Sequence, residues 1–334
     1  MFEKMDTKIK FNPQHISRLR LVVQVLSFAA IFYGGYLLAA AGLGPERAKD
    51  ASSIKAVYKQ PAALDVYLPA TSCIYQKEGL CHGCSLYLVT DTIVWKKSPA
   101  EWLVPVAVTL VLLLAGGRLW CGWVCPLGFL SDLLTRLRQS AKIPRLRLSR
   151  RLRDGLVWAK YIILAATLVT ASLAAWDYFA DERLSLADPF CQVCPQRIFA
   201  AFFSFDQVCW TNFHDTITTV TTWLGLLAFG LFFLGLAVRR FWCRLCPIGA
   251  LSAPFNRTGL VMLRKDDSRC TRCRACERVC PLDVRKVYEA RQSGAVTAYE
   301  CHLCLRCLEV CPEKDCLQFR WFGARVCSSG KNFD

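Results

Sequence analysis

Eight cysteines near the C-terminus could bind metal. They form two runs with one spacing, Cys-x-x-Cys-x-x-Cys-x-x-x-Cys-Pro, at residues 270–281 and 301–312. Two copies of this spacing are typical of chains that hold two [4Fe–4S] clusters, in which the fourth cysteine of each run binds the cluster of the other run. The predicted ligands are Cys270, Cys273, Cys276 and Cys311 for cluster 1, and Cys301, Cys304, Cys307 and Cys280 for cluster 2. Paired Cys-x-x-Cys sequences also bind zinc, but the duplicated order favours the clusters.

A second group of cysteines lies in an internal repeat. The turn at residues 118–131 and the turn at residues 240–252 match in Arg, Trp, both Cys, Pro, Gly, Leu and Ser once one residue is dropped between the cysteines. Each turn is preceded at a distance by a further close pair, Cys81/Cys84 in the first half and Cys191/Cys194 in the second. The chain therefore contains two pseudo-repeated halves, each with two cysteine pairs.

Four apolar stretches must position these pairs. The chain has 334 residues, of which 54% are hydrophobic, and a helix needs about 20 apolar residues to cross a bilayer. The predicted spans cover residues 21–43, 102–120, 155–176 and 218–238. The first span has no cleavage-site pattern and is too long for a signal-peptide core, so we expect it to be retained as a membrane helix.

The basic residues predict the orientation of the spans. The chain carries 42 Lys and Arg and a net charge of +16, and these residues cluster beside spans, which argues against nucleic-acid binding. Five lie in the first 20 residues and eight in residues 136–153, whereas residues 177–215 hold two. By the positive-inside rule, both termini are cytoplasmic. The expected domains are a cytoplasmic segment (1–20), a membrane domain (21–258) with outer loops at 44–101 and 177–217 and Cys-Pro turns at 120–128 and 242–249, and a cytoplasmic domain (259–334).

This topology groups the remaining cysteines by membrane face. Four thiolates around one point suit a [4Fe–4S] cluster, so one or two further clusters are expected. The inner-face ligands would be Cys121, Cys125, Cys243 and Cys246, and the outer-face ligands would be Cys81, Cys84, Cys191 and Cys194. The alternatives are buried thiols for the inner set, and disulfides or exchange thiols for the outer set. Cys316 and Cys327 fall outside every pattern and are interpreted as ordinary tail cysteines.

The combination of four spans, paired Cys-Pro turns and a C-terminal two-cluster pattern resembles the ferredoxin-type membrane quinol dehydrogenases. These include the membrane ferredoxin subunit of periplasmic nitrate reductase systems and the C-terminal half of the nitrous-oxide reductase expression regulator. The resemblance covers residues 103–311. The second turn departs from it, with two residues between its cysteines where the family pattern has three, and the outer pairs are not part of the pattern.

The resemblance implies electron exchange between the quinone pool and a partner redox protein, such as a cytochrome, a ferredoxin or a catalytic oxidoreductase subunit. The implied location is the cytoplasmic membrane of a bacterium or archaeon. We expect a four-helix, all-α membrane domain followed by an α+β ferredoxin-like domain, acting as an electron-transfer subunit rather than a stand-alone enzyme. The alternative is a redox maturation or regulatory protein that uses its clusters for metal-centre assembly or sensing.

Two further features bear on this expectation. His214 and Asp215 are candidates for handling protons at a quinone site, and the alternative is an interfacial pair that caps the fourth span. Arginines next to the C-terminal cysteines are expected either to raise the cluster potentials and bind an acidic redox partner or to serve solubility: Arg269, Arg272, Arg274, Arg278 and Arg306.

Overall fold

The computed structural model describes residues 16–40, 64–74, 81–96, 98–146, 148–176, 189–203, 216–258 and 260–330. Its α-helices are α1 (Ile16–Ala40), α2 (Ser85–Val94), α3 (Pro99–Gly116), α4 (Leu119–Trp123), α5 (Pro126–Ser140), α6 (Arg150–Ala174), α7 (Pro189–Val193), α8 (Pro195–Phe203), α9 (Thr216–Phe233), α10 (Pro247–Ser252), α11 (Ala275–Val279), α12 (Lys286–Glu289) and α13 (Arg306–Val310). Its strands are β1 (Leu64–Leu68), β2 (Cys81–Cys84), β3 (Val261–Lys265), β4 (Gly294–Ala295), β5 (Leu317–Trp321) and β6 (Ala324–Ser328).

Four of the described helices, α1, α3, α6 and α9, are long and apolar enough to cross a membrane. Less than a third of each apolar window is buried inside the protein, and exposed leucines, valines and tryptophans cover the remaining surface. So much apolar exposure suits contact with lipid. The four predicted spans are confirmed, although α1 begins earlier than expected, at Ile16. The reason is that Ile16 and Arg20, which precede the apolar run, are buried against other parts of the protein.

The described residues form two compact units. We call the first the ferredoxin-like unit: it contains α1 as far as Gln24, residues 112–124, and the chain from Ser252 onward. The second, the helical unit, contains residues 25–111 and 125–251. The sequence predicts a simple boundary near residue 259, but the ferredoxin-like unit also takes in the start of α1 and the whole of α4, because side chains on both segments pack within it.

A four-stranded antiparallel sheet, in the order β4-β3-β5-β6, supports the ferredoxin-like unit. Val261 and Leu263 on β3 face inward with Leu317 and Phe319 on β5, in the alternation typical of a sheet with one buried face. Together with Ile16 of α1 they form a single apolar core. The short helices α11 and α13 pack against each other. The α+β ferredoxin-like fold predicted for this part of the chain is confirmed.

The helical unit contains segments that turn back against the spans. The parallel pair β1–β2 lies against α3, where the Thr109 hydroxyl donates to the carbonyl of Tyr67 at 3.1 Å. The α7–α8 segment lies against α9, where a Cβ atom at Gly225 would be only 3.1 Å from the carbonyl oxygen of Gln192. Thr109 and Gly225 lie near the middles of their 18-residue helices. Stretches expected as outer loops therefore pack against the middles of two spans.

Candidate metal centres

Two cavities in the ferredoxin-like unit are each lined by one predicted set of four cysteines. The first is lined by Cys270, Cys273, Cys276 and Cys311. The second is lined by Cys280, Cys301, Cys304 and Cys307, with Cys276 at its border. Each cavity takes three cysteines from one run and the fourth from the other, as the spacing predicts. The two predicted ligand sets are thus brought together, and their donors suit two [4Fe–4S] clusters.

The backbone of the two cysteine loops is shaped alike. We call residues 270–276 the cluster-1 loop and residues 301–307 the cluster-2 loop. Arg272 and Arg274 have positive φ angles of 57° and 62°, and Leu303 and Leu305, at the equivalent positions, have 47° and 59°. The left-handed conformation costs about 1–2 kcal/mol for an ordinary residue. It turns successive N–H groups toward one side, as in the anion-binding nests of iron–sulfur sites, so the strain is consistent with an anionic cluster in each loop.

The predicted ligand cysteines of cluster 2 are partly buried. Burial raises the pKa of Cys280 to about 11 and that of Cys301 to about 12. Backbone N–H groups oppose this effect: Val284 donates to Cys280 Sγ at 3.3 Å and Leu303 to Cys301 Sγ at 3.4 Å. These thiols need a cation to become thiolates at neutral pH, and iron would supply that charge while the protons leave.

The part of the chain that the structure describes shows no arrangement of side chains that would bind a single zinc ion. There, no three His, Cys, Asp or Glu side chains lie close enough together to hold a single metal ion. A [4Fe–4S] cubane holds its ligands further apart than a mononuclear ion does, because each thiolate binds a different iron atom. The duplicated order of the cysteines in the sequence is what favours clusters over zinc.

Cys316, which the sequence suggests is an ordinary tail residue, lines the cluster-1 cavity. It is only 2% exposed. The neighbouring Cys316 side chain lowers the pKa of Cys311 to about 6 and also acts on Cys270, while its Sγ lies 3.6 Å from the carbonyl oxygen of Asp266. Cys316 thus contacts two of the four predicted ligands of cluster 1. The only feature of the sequence that could have indicated this contact is the position of Cys316 five residues after Cys311.

We expect the C316A substitution to lower the reduction potential of cluster 1 by on the order of 40 mV. Hydrogen bonds to ligand sulfurs stabilise the more negative reduced cluster, and one typical hydrogen bond of about 1 kcal/mol corresponds to about 40 mV for a one-electron couple. The measurement is a redox titration of the full chain followed by EPR. The matched variant C316S keeps an O–H donor and should stay closer to the wild-type potential. An unchanged potential in C316A would show that no hydrogen bond from Cys316 reaches the cluster.

Arg118, from the first Cys-Pro turn, is the main anchor of the cluster-2 loop. Its side chain is fully buried. It donates to Glu300 Oε2 at 2.8 Å and to the carbonyl of Tyr299 at 3.1 Å, and its second terminal nitrogen lies 2.9 Å from Nε2 of His302. The repeated arginine of the sequence motif therefore holds the chain at the point where it enters the cluster-2 loop.

Asn256 reinforces the same region, and sequence analysis missed it because it belongs to no motif. Its amide nitrogen is within 2.7 Å of the Cys301 carbonyl and within 3.1 Å of the carbonyls of Ala298 and Tyr299. Its amide oxygen accepts the backbone N–H of Arg118 at 2.9 Å. One buried side chain thus connects the first Cys-Pro turn to the residues that lead into cluster 2.

Helix α4, which contains Cys121, packs directly on the cluster-2 loop. Trp123 Nε1 donates to the carbonyl of Leu303 at 3.1 Å. A Cβ atom at Gly122 would overlap the carbonyl oxygen of His302, so this close approach requires glycine. The cluster-2 loop therefore lies on the side of the ferredoxin-like unit that is formed by segments leading into the membrane spans.

The start of α1 makes a further contact with this loop. Arg20 is buried and donates to the carbonyl of Cys304 at 2.6 Å, with Glu309 at 3.4 Å. One turn later, Gln24 donates to the carbonyl of Gly122 at 3.1 Å. The first span is thus tied to the cluster-2 loop and to α4 within the same unit.

Cluster 1 lies nearer the surface. Cys273 is exposed, and the arginines around it are only partly engaged with acids. Arg269 pairs with Asp266 at 3.2 Å and Arg272 with Asp267 at 3.8 Å, yet both arginine side chains remain more than half exposed. This basic surface beside an exposed ligand would suit an acidic redox partner.

The membrane cysteines are divided differently from the predicted inner and outer sets. Cys121 belongs to the ferredoxin-like unit, whereas the other three inner residues and all four outer residues belong to the helical unit. Within the helical unit, Cys194 lies within electrostatic reach of Cys246, Cys73 and Cys84. The structure therefore brings together residues that the sequence assigned to opposite faces. The quinone candidates His214 and Asp215 lie outside the described residues.

Comparison with sequence families matches both types of cysteine motif. A family described as "4Fe-4S binding domain" matches residues 99–144 and again residues 219–267, one match in each pseudo-repeated half. A family described as "4Fe-4S dicluster domain" matches residues 262–312, which contain both C-terminal runs. The duplicated match agrees with the internal repeat.

Several proteins of known sequence are similar to this chain. The uncharacterized protein MJ0750 of Methanocaldococcus jannaschii is 28% identical over 237 residues, covering 70% of this chain and 84% of that protein. The ferredoxin-type protein NapH of Escherichia coli is 30% identical over 222 residues, covering 62% and 64%. The regulatory protein NosR of Pseudomonas aeruginosa is 32% identical over 198 residues, covering 59% of this chain but 24% of its own length. No solved structure matches the chain.

Proposed function

We propose that this chain, a ferredoxin-type membrane protein with 4Fe–4S domains, relays electrons between the quinone pool or a periplasmic partner and two cytoplasmic [4Fe–4S] clusters. The protein itself would bind the clusters, provide their surroundings and determine the order in which an electron passes through them. Each cluster would pass one electron at a time. The direction of flow would follow the relative potentials of the quinone and the partner.

The observation that carries the proposal is the asymmetry between the two cluster cavities. The cluster-2 loop contacts Arg118, Trp123 and Arg20, all on segments that lead into membrane spans. Cluster 1 has the exposed ligand Cys273 beside exposed arginines. The order of electron transfer would therefore be membrane segment, cluster 2, cluster 1, and then a soluble partner.

A groove near one end of α6 provides a candidate surface for the quinone. It is lined by apolar side chains that include Leu168, Val169 and Trp176, with Ser172 and Lys96 as the polar members. Quinone sites are expected to be mainly apolar, with a few polar groups that orient the ring. This groove supports the quinone part of the proposal.

The order of the clusters can be tested with purified full-length protein. After anaerobic purification in detergent, a quinol analogue is expected to reduce both tail clusters, as followed by EPR. In C304S, cluster 2 is lost and cluster 1 should no longer equilibrate with quinol. In the matched variant C273S, cluster 1 is lost but cluster 2 should still respond.

Two outcomes would contradict the proposal. If cluster 1 in C304S still equilibrated with quinol at the wild-type rate, the order would be wrong. If neither cluster in the wild-type protein exchanged electrons with any quinol, the relay itself would be wrong, and a maturation or regulatory role would take its place.

A further inference from the structure

Four cysteines of the helical unit share one local arrangement: each lies directly before a helix. Cys84 precedes α2, Cys125 precedes α5, Cys194 precedes α8 and Cys246 precedes α10. All four are buried. They are the second members of the four close pairs, two from the predicted inner set and two from the predicted outer set.

One of these cysteines, Cys194, lies near two of the others. Cys194 is close enough to Cys246 and Cys84 that a charge on either would act on its sulfur. If the inner and outer cysteine sets lay at opposite faces of the membrane, Cys246 would be on the other side of the bilayer from Cys84 and Cys194. The segments beside Cys84 and Cys194 pack against the middles of α3 and α9, through Tyr67 and Gln192.

The fourth cysteine is connected to the same place through the loop after β1. The Thr71 hydroxyl lies 3.1 Å from Cys125 Sγ. Two residues later, Cys73 is also within electrostatic reach of Cys194. Cys73 itself precedes no helix, and its side chain packs in an apolar cluster with Phe32 and Ala200.

Unpartnered polar groups lie next to these cysteines. In the part of the chain that the structure describes, Ser85 Oγ, Trp242 Nε1 and both polar atoms of the Gln196 amide are buried without a hydrogen-bond partner. Ser85 follows Cys84, Gln196 is two residues after Cys194, and Trp242 is four residues before Cys246. A buried unsatisfied donor costs about 1–3 kcal/mol, and the Ser85 hydroxyl, the Gln196 NH2 group and the Trp242 indole N–H could each donate to a ligand with acceptor atoms.

The helix ends favour an anionic ligand. α2, α5 and α8 contain 10, 15 and nine residues, and each begins at one of these cysteines. Unpaired N–H groups and the positive end of the helix dipole stabilise negative charge there. An iron–sulfur cluster with four thiolates, whose sulfurs accept hydrogen bonds, matches both the charge and the acceptors.

The contacts of the returning segments indicate the depth of this group. Residues near Cys84 contact α3 at Thr109, and residues near Cys194 contact α9 at Gly225. Both contact points lie near the middle of an 18-residue helix, which is about 27 Å long at 1.5 Å per residue. The middle of such a span would lie about 15 Å from either face of a hydrocarbon core of about 30 Å.

We propose that Cys84, Cys125, Cys194 and Cys246 together bind one [4Fe–4S] cluster near the middle of the membrane, with Ser85, Gln196 and Trp242 donating hydrogen bonds to its sulfurs. Four thiols would lose their protons as four iron–sulfur bonds form. In the relay, one electron would enter this cluster and one would leave it, so the cluster would divide the membrane crossing into two shorter steps. The proposal rests on the proposed relay function and replaces the arrangement of two clusters at opposite faces.

The test compares C84S, C246S and the double variant C84S/C246S in anaerobically purified full-length protein. Iron and acid-labile sulfide are counted, and the dithionite-reduced samples are examined by EPR. Each single variant is expected to lose about four iron atoms and the same EPR species, and the double variant should lose no more than either single variant. Loss of two different species, with about eight iron atoms missing from the double variant, would overturn the shared site. Retention of all iron in both single variants would also overturn it.

Two further sets of variants keep the result interpretable. C73S is the matched control: it removes a buried thiol from the same region and should retain the iron. S85A and Q196L remove only proposed hydrogen bonds, so they should retain the iron but shift the potential or g-values of this species alone. A shift in neither would overturn the roles of Ser85 and Gln196. The signals of the two tail clusters report whether each variant is folded, and the iron count is independent of any reaction with quinone.

Discussion

Replacing Arg240 with methionine is expected to destabilise the helical unit by about 3–5 kcal/mol, the usual cost of removing one partner from a buried ion pair. The Arg240 side chain is fully buried and forms a bidentate pair with Asp132, with Nε to Oδ1 at 3.1 Å and Nη2 to Oδ2 at 2.8 Å. Without it, the Asp132 carboxylate remains buried beside apolar groups. Thermal denaturation in detergent should show a clear decrease in Tm.

The double variant D132L/R240M distinguishes the ion pair from general packing. It removes both charges, and apolar replacement of a whole buried pair is often nearly neutral, so most of the lost stability should return. R240K retains the charge but loses the two-pronged geometry and should be intermediate. A double variant as unstable as the sum of the two single variants would show that the two residues act independently.

The Asn256→Leu substitution is expected to remove cluster 2 selectively. The amide of Asn256 satisfies carbonyls at Ala298, Tyr299 and Cys301 and accepts the N–H of Arg118. Leucine removes the partner of the Cys301 carbonyl and of the Arg118 N–H, at about 1–3 kcal/mol each, and releases the chain that leads into Cys301. The iron content should fall by about four atoms, with loss of the cluster-2 EPR signal and retention of the cluster-1 signal.

Two control variants make the Asn256 result specific. Asn256→Asp has the same shape and keeps the acceptor for Arg118, but it has no N–H donors and should lose cluster 2 as well. Thr258→Ala removes an exposed hydroxyl two residues away that bonds only locally, to the carbonyl of Phe255, and should retain both clusters. Full iron content in Asn256→Leu would show that the ligands alone hold the cluster-2 loop.

The grouping of the tail cysteines around two cavities was predictable because the pattern that sets it is local. Three cysteines within seven residues, such as Cys270, Cys273 and Cys276, can reach one cubane whatever the rest of the fold does, and the proline-terminated run supplies the fourth ligand of the other site. The spans were predictable for a similar reason, since length and apolarity along a single helix decide them. In both cases the pattern lies in consecutive residues.

The remaining features depend on contacts between distant segments. Nothing near Asn256 in the sequence indicates that its amide meets the carbonyl of Cys301. Cys316 differs from other tail cysteines only because β5 places it beside Cys311. The positive-inside rule assigns loops to one face of the membrane or the other. It does not place apolar segments that are too short to cross the bilayer, such as the 10-residue α2. Such segments fold back with their backbone groups hydrogen-bonded inside the protein. Their positions decide which cysteines meet.

The contacts of α1 have a consequence for biosynthesis. Arg20 and Glu309 pair across 289 positions, and Ile16 belongs to the same apolar core as Phe319. At 5–20 residues per second, a ribosome needs roughly 15–60 s to make the intervening chain. The first span is therefore synthesised long before the residues it must meet. Iron delivery to the tail would come last, on a chain whose spans have already been inserted, and a tail expressed by itself would lack part of its own core.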